Sequence, residues 1–351
     1  MQRSRILFVP TLVALLAITA LPRLLVATDG TTGAAAPSTP PPVARRTVAV
    51  TVDDLPFVAH GLPLDAVKRL SHDLVAALAA RKVKAVAFVN EDKLFVPAEV
   101  DARIALLTDW LDAGMELGNH TFGHTGLTKT PLAAMQDAVV KGEVVTRGLL
   151  ERRGQTLKWF RHPYAQTGAT REVRDAFGAF LASRGYKVAP FTIEHEDWVF
   201  ASADAKLAAS GDEAGQARLL AAYIEDFDAR CAFYESRSRA LFGREIPQIL
   251  LSHANALNAR AMPLLLERLK RRGYTFVTLD EALADPAWTS PDGYFGPWGP
   301  SWLHRFAAAR GEDVGKLFAS EPEAPKWVAE LDRSRREPPA APPAAPPAGI
   351  P

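Results

Sequence analysis

Seven times between residues 47 and 285, a short run rich in Val, Ile, Phe and Tyr is followed by a longer amphipathic stretch, and no other feature constrains the fold as tightly. The extended runs are 47–53, 84–89, 115–119, 158–161, 186–192, 247–252 and 274–278. Helical periodicity fills 64–81, 98–113, 131–152, 170–184, 213–242 and 260–272, with a short helix from Asp280. Parallel strands need a crossover between them, and the helices supply it, so the pattern predicts an α/β domain with a parallel sheet. A chain of 351 residues that is 48% hydrophobic can fill one such core of about 200 to 250 residues and carry appendages. Polar residues favour a closed or nearly closed barrel over an open sheet. Asp53-Asp54, His120 and His124, Arg161, Glu194 to Trp198 and His253 each fall at or just past the carboxyl end of an extended run. In a parallel barrel those ends share one rim, whereas an open sheet gathers fewer of them at one crevice.

The flanks have other compositions. Residues 1–27 begin with a basic Met-Gln-Arg-Ser-Arg and continue through an apolar run, Ile6 to Leu21, which reads as a signal peptide or an N-terminal anchor. The expected location is periplasmic or secreted, with inner-membrane anchoring as the alternative if the signal is uncleaved; the run is short for a membrane span. Residues 28–46 read as a flexible linker and 337–351 as a disordered Pro/Ala tail. Residues 286–336 hold Trp288, Tyr294, Phe295, Trp298, Trp302 and Trp327 among Gly and Pro, with a helix expected over 302–310, and are expected to pack on the barrel as an extension. The net charge is +1, and removal of residues 1–27 with their three arginines leaves −2. Such a chain has no global electrostatic reason to bind nucleic acid. The single cysteine, Cys231, excludes an internal disulfide; its helical spacing with Tyr223, Ile224, Phe227 and Tyr234 places it in the core. Oligomeric state is not encoded in any readable pattern.

The chemistry concentrates in two places. An adjacent acid pair, Asp53-Asp54, ends the apolar run of Val48, Val50 and Val52, and two imidazoles stand four residues apart in His120-Thr-Phe-Gly-His124. Two histidines and one carboxylate give a divalent metal three protein ligands and leave a position open for water, the arrangement of catalytic rather than structural sites. One carboxylate is left over to take that water's proton.

Taken as a set, the residues resemble the polysaccharide deacetylase family, the NodB-homology or carbohydrate esterase family 4 enzymes. Thr51-Val52-Asp53-Asp54 resembles its Thr-Phe-Asp-Asp motif, and His120-Thr121-Phe122-Gly123-His124 its His-Ser/Thr-x-x-His motif. Arg161-His162-Pro163-Tyr164, Glu194 to Trp198 and Leu251-Ser252-His253 resemble the third, fourth and fifth, in the family's order, over about residues 47–285. The resemblance implies a distorted (β/α)7 barrel. It makes Asp54, His120 and His124 the ligands of Zn²⁺, with Co²⁺ or Fe²⁺ suited to the same donors. Asp53 is then the general base, paired with and oriented by Arg161 and kept ionised by it. His253 becomes the acid that protonates the leaving nitrogen, tuned by Glu194, and the backbone N–H of Tyr164 stabilises the oxyanion. Leu251 and Trp198 would line the pocket for the acetyl methyl.

Two departures stand out. Leu55 occupies the place of the family's usual Gly after the acid pair, and Glu194 replaces an Asp, leaving Asp197 and Glu196 as alternative partners for His253. His60, His162, His195 and His304 are expected at the rim or surface. The implied substrate is an acetylated carbohydrate, and the implied reaction is metal-dependent removal of N-acetyl groups from an extracytoplasmic amino-sugar polymer or oligosaccharide. The alternatives are an O-acetyl esterase and a non-catalytic carbohydrate-binding envelope protein. Which glycan is involved is not readable, because specificity resides in loop shape.

Overall fold

A computed structural model describes residues 45–336, with side chains to residue 332, so the signal, most of the linker and the Pro/Ala tail expected from the sequence lie outside the described residues. Among these residues the seven expected strands all form and all run parallel: β1 (Thr47–Val58), β2 (Val86–Val89), β3 (Glu116–Asn119), β4 (Trp159–Phe160), β5 (Lys187–Val188), β6 (Gln248–Asn255) and β7 (Thr275–Phe276). The order across the sheet is β5-β4-β3-β2-β1-β6, with β7 beside the start of β1. β1 is almost wholly buried, as a parallel strand covered on both faces should be.

The sheet curls into a distorted barrel. β5 stops two residues before Pro190, which cannot donate to a ladder, and the chain then crosses from β4 to the far edge. There Thr192 and Ile193 donate to Ile249 O at 2.9 and 3.0 Å, and Leu251 donates to Ile193 O at 3.0 Å. That bridge joins the two edges of the curl. Burial is continuous from Val48 and Phe88 to Phe191 and Leu250, forming one core.

The helices α1 (Leu64–Ala79), α2 (Val100–Asp112), α3 (Leu132–Lys141), α4 (Val144–Glu151), α5 (Arg171–Ser183), α6 (Asp197–Ala209), α7 (Glu213–Phe242), α8 (Ala256–Arg271), α9 (Leu279–Leu283), α10 (Trp302–Ala309), α11 (Val314–Ala319) and α12 (Lys326–Arg336) surround the sheet. The helix expected over 131–152 is two helices. It breaks at Gly142, where a Cβ would lie 2.6 Å from both Phe122 N and the Thr121 carbonyl carbon, so the break lets the loop carrying the two imidazoles settle against α3. There Phe122 N donates to Ala138 O at 2.8 Å. No sequence periodicity announced α6. Its Val199 to Ala203 are consecutively buried between α7, α8 and α12, and five buried residues in a row leave no polar stripe to reveal a helix. α8 starts four residues before its periodic pattern because Asn255, the last residue of β6, caps it by accepting from Asn258 N at 2.8 Å.

The segment after β7 packs on the barrel: Ser301 Oγ donates to Thr192 O at 2.7 Å, Trp302 N donates to Phe191 O at 3.0 Å, and Trp302 is 8% exposed. No helix among the described residues is long and apolar enough to cross a membrane. Cys231 is buried, with burial pushing its thiol well above the usual range.

Three histidines expected at the rim or surface are buried instead. His162 sits edge-on to Phe160 and Phe177, His195 between Tyr223 and Phe227, and His304 among Phe233, Tyr234 and Phe318. An imidazole is an adequate aromatic filler while it stays neutral. Burial depresses the pKa of His162 to about 3 and those of His195 and His304 to about 4. Below the ordinary value of 6.5 the unfolded chain takes up protons that the folded chain refuses, so stability falls as pH falls. For His162 the loss at pH 5 is about 2 kcal/mol, a few degrees in Tm. His162→Gln should therefore lose less Tm than wild type between pH 7 and pH 5, as calorimetry on the metal-free proteins would show; equal losses would exclude His162 as a source.

Candidate active site

The carboxyl end of β1 is irregular, and the irregularity gathers the acids. Its register slips against β2 between Val52 and Leu55 and against β6 between Asp53 and Val58. Asp54 adopts a positive φ of 73°. Successive residues of a regular strand point to opposite faces; the bulge breaks that alternation, so Asp53 and Asp54 both line one cavity of about 880 Å³. Leu55 thus follows a backbone kink carried by Asp54 itself rather than by a glycine.

The imidazoles come from the turn after β3, which neighbouring side chains hold. Asn119 accepts from Thr121 N at 2.7 Å, and Asn90 donates to His120 O at 2.7 Å. Asp92 accepts from Gly123 N at 2.9 Å. Thr121 and His124 have φ of 69° and 48°, a conformation that non-glycine residues adopt only where such contacts maintain it. His120 Nδ1 lies 2.9 Å from the carbonyl of Arg161. A carbonyl only accepts, so the proton is on Nδ1 and the Nε2 lone pair is free to coordinate.

One donor atom from each of Asp54, His120 and His124 lies within 4.8 Å of the other two. Side-chain shifts of less than about 1 Å would place all three at the 2.0–2.2 Å usual for zinc. Protonation states agree with that use. Burial pushes the Asp54 carboxyl up, but Lys93, whose Nζ is 3.0 Å from Oδ1, and the imidazoles overcome it and hold the acid well below the usual range. Burial lowers both histidines, leaving them neutral. An ionised carboxylate with two neutral imidazoles is a donor set that fits Zn²⁺ or Co²⁺.

Asp53 is 3% exposed, and its Oδ1 has no hydrogen-bond partner. Its Oδ2 is 3.7 Å from both Arg161 Nη1 and His120 Nε2. The guanidinium therefore stands beside Asp53 but does not grip it with two hydrogen bonds. Arg161 Nη2 donates instead to Thr51 Oγ1 at 2.8 Å, and the guanidinium packs over Phe88 and Phe191. In consequence burial outweighs Arg161 and raises Asp53 to about 6, rather than Arg161 depressing it as the sequence suggested. The acid is still mostly ionised at neutral pH.

His253, the register partner of Asp53 on β6, is held by Asp197 and not by Glu194. Asp197 Oδ1 is 2.6 Å from His253 Nδ1, and Oδ2 accepts from His253 N at 2.7 Å. Asn258 donates to Asp197 and, at 2.8 Å, to His253 O. Burial alone would lower the imidazole, but Asp197 reverses this and raises it to about 10, so His253 carries a proton. Glu194 is displaced because Glu196 turns through a positive φ of 46° to start α6, which brings Asp197 inward. Glu194 accepts from Glu196 N at 2.8 Å and faces Arg230 Nη1 at 3.6 Å. Burial raises it to about 8, and it remains a wall of the cavity.

Leu251 lies on the cavity wall, 9% exposed, with Trp198 at its mouth, 43% exposed. Tyr164 sits at φ 54° with its ring 4.5 Å from that of His124. The structure thus brings every site residue inferred from sequence to one cavity. It adds Lys93, Asp92, Asn90 and Asn119, which gave no signal as isolated polar residues. Trp298, 58% exposed, and Phe318 also face the cavity; of these only Trp298 was visible in the sequence, as part of the aromatic extension.

Residues 41–189 match the family model described as polysaccharide deacetylase. No curated protein matches the chain. Among solved structures, the chitin deacetylase of the fungal pathogen Colletotrichum lindemuthianum is similar at 20% identity, over 70% of this chain and 90% of that one, with a TM-score of 0.48. A family 4 carbohydrate esterase from Streptomyces lividans, in complex with acetate, is similar at 22% identity, over 66% and 91%, with a TM-score of 0.43. A family 4 pseudoenzyme from Bacillus anthracis is similar at 17% identity, over 68% and 66%, with a TM-score of 0.47.

Proposed function

We propose that this chain, whose residues 41–189 match the polysaccharide deacetylase model, is a metal-dependent deacetylase that hydrolyses N-acetyl groups of an extracytoplasmic amino-sugar polysaccharide or oligosaccharide. The observation that carries the reading is the convergence of the Asp54, His120 and His124 donors beside an unpaired Asp53 oxygen and a His253 held by Asp197. A non-catalytic binder would have no use for that combination.

When bound, a divalent ion on Asp54, His120 and His124 would polarise the acetyl carbonyl and acidify the attacking water. Asp53 accepts the water's proton as the C–O bond forms, using the Oδ1 that no protein donor satisfies. Arg161, 3.7 Å away, favours that carboxylate's ionised form without hydrogen-bonding it. The backbone N–H of Tyr164 stabilises the oxyanion. An amine anion is too basic to depart, and His253 gives its proton to the nitrogen as the C–N bond breaks, with Asp197 stabilising the imidazole in the charged form beforehand. Leu251 and Trp198 enclose the acetyl methyl. The extracytoplasmic setting rests on residues 1–27.

The test is acetate release from chito-oligomers, poly-N-acetylglucosamine, peptidoglycan and acetylated xylan. Zinc-loaded protein should release acetate from at least one amino sugar, lose that activity to a chelator and regain it with Zn²⁺ or Co²⁺. Release from xylan alone would move the assignment to an ester; none from any substrate would refute it.

A further inference from the structure

The loop that carries Tyr164 closes a short turn with two backbone bonds, from Ala165 N to His162 O at 2.9 Å and from Gln166 N to Pro163 O at 3.1 Å, and its outward-facing groups are held from elsewhere. Tyr164 and Ala165 both have positive φ, 54° and 50°, which side chains with a Cβ disfavour. Besides these bonds and one from Thr128 N to Gln166 Oε1 at 3.1 Å, the contacts that hold the loop come from more than 130 residues away in the extension. Arg305 is fully buried, and its Nη2 donates to Ala165 O at 2.7 Å while Nη1 donates to Thr167 Oγ1 at 2.8 Å. The guanidinium is in turn fixed by Pro300 O at 3.1 Å and Asp292 Oδ2 at 3.2 Å and lies 4.5 Å from the Trp302 ring. Pro297 O accepts from Gln166 Nε2 at 2.9 Å. Between these two grips Gly299 presses on the loop so closely that a Cβ there would lie 1.8 Å from Tyr164 O and 2.6 Å from Ala165 Cβ.

We propose that Arg305 and Gly299 of the C-terminal extension are positioning residues for the reaction, holding the backbone of Tyr164 where its N–H meets the developing oxyanion. This rests on the deacetylase reading for its catalytic consequence, but the grip itself does not. The extension is then a working part of the active site, not an accessory domain added to a complete barrel. Arg305 touches neither substrate nor metal ligand in this arrangement; its action is transmitted through two hydrogen bonds to the loop backbone and Thr167. Arg305 reaches Pro300 O, Thr167 Oγ1 and Ala165 O from three different nitrogens, Nε, Nη1 and Nη2; a lysine's three N–H groups radiate from one nitrogen and cannot span the three acceptors together.

Two variants test the proposal in the zinc-loaded full chain. Gly299→Ala keeps Arg305 and should force the loop away; Arg305→Lys keeps the charge and removes the fork. Three readouts are compared with wild type: amide hydrogen exchange over 163–167, zinc affinity against a chromophoric chelator, and the separate kcat and KM for the best acetylated substrate. The expected result for Gly299→Ala is faster exchange confined to 163–167, zinc affinity within about threefold, and kcat lower by about 100-fold with little change in KM. Arg305→Lys should move in the same direction. Unchanged exchange at 163–167 in both variants overturns the grip. Faster exchange with unchanged kcat overturns the catalytic role, as does a kcat loss that merely tracks lost zinc or lost thermal stability. If wild type itself releases no acetate, the deacetylase reading falls, while the exchange measurement still decides whether the extension holds the loop.

Discussion

Asp53→Asn should lower kcat by roughly 10²–10⁴-fold, the usual worth of a positioned general base, while zinc affinity stays within a few-fold of wild type. The substitution is nearly isosteric at a site that is 3% exposed, so the fold should tolerate it. On the proposed mechanism it removes the acceptor of the water's proton: Oδ1 has no protein partner, and an amide at that position has either no basic lone pair or an N–H facing the water. Steady-state kinetics with a zinc titration on the same preparations checks this. A parallel collapse of zinc affinity and kcat would mean that Asp53 is itself a ligand, and a kcat near wild type would remove it from the mechanism.

His120→Ala should be more severe and should differ in kind. The imidazole contributes Nε2 to the Asp54, His120 and His124 group, and only two donors would remain. Zinc retained after dialysis, measured by elemental mass spectrometry, should fall from about one per chain to near none, with affinity down by more than about 100-fold. Acetate release should fall to background and recover little with added zinc at moderate excess. Because His120 is buried, the variant also leaves a cavity and loses the bond to Arg161 O, so its Tm must be recorded. Wild-type zinc content in a folded His120→Ala protein would refute the assignment of the metal centre.

Much of this architecture was legible because its physical causes are local. The seven strands announced themselves as β-branched and aromatic runs, and the polar residues at their ends pointed to one rim. What escaped detection depends on contacts between distant segments. The break at Gly142 exists because the imidazole-bearing turn lies against it, and nothing within 131–152 records that neighbour. α6 is hidden because α7, α8 and α12 cover it. Glu194 occupied the motif position expected for the partner of His253, but side-chain direction followed the backbone turn at Glu196, and the role passed to Asp197. The burial of His162, His195 and His304 was invisible because an imidazole in an aromatic cluster and one at a surface have the same letter in the sequence.

The bond between His120 Nδ1 and the Arg161 carbonyl couples the proposed metal cage to the guanidinium that faces the proposed base. The residue whose side chain faces Asp53 is also the residue whose peptide oxygen dictates which nitrogen of His120 bears hydrogen. A shift of the backbone at Arg161 itself, unlike one confined to 163–167, would therefore be expected to disturb cation retention and proton abstraction at the same stroke, even if every side chain in both groups were intact. Grafting either half onto another scaffold without the other would be expected to transplant neither.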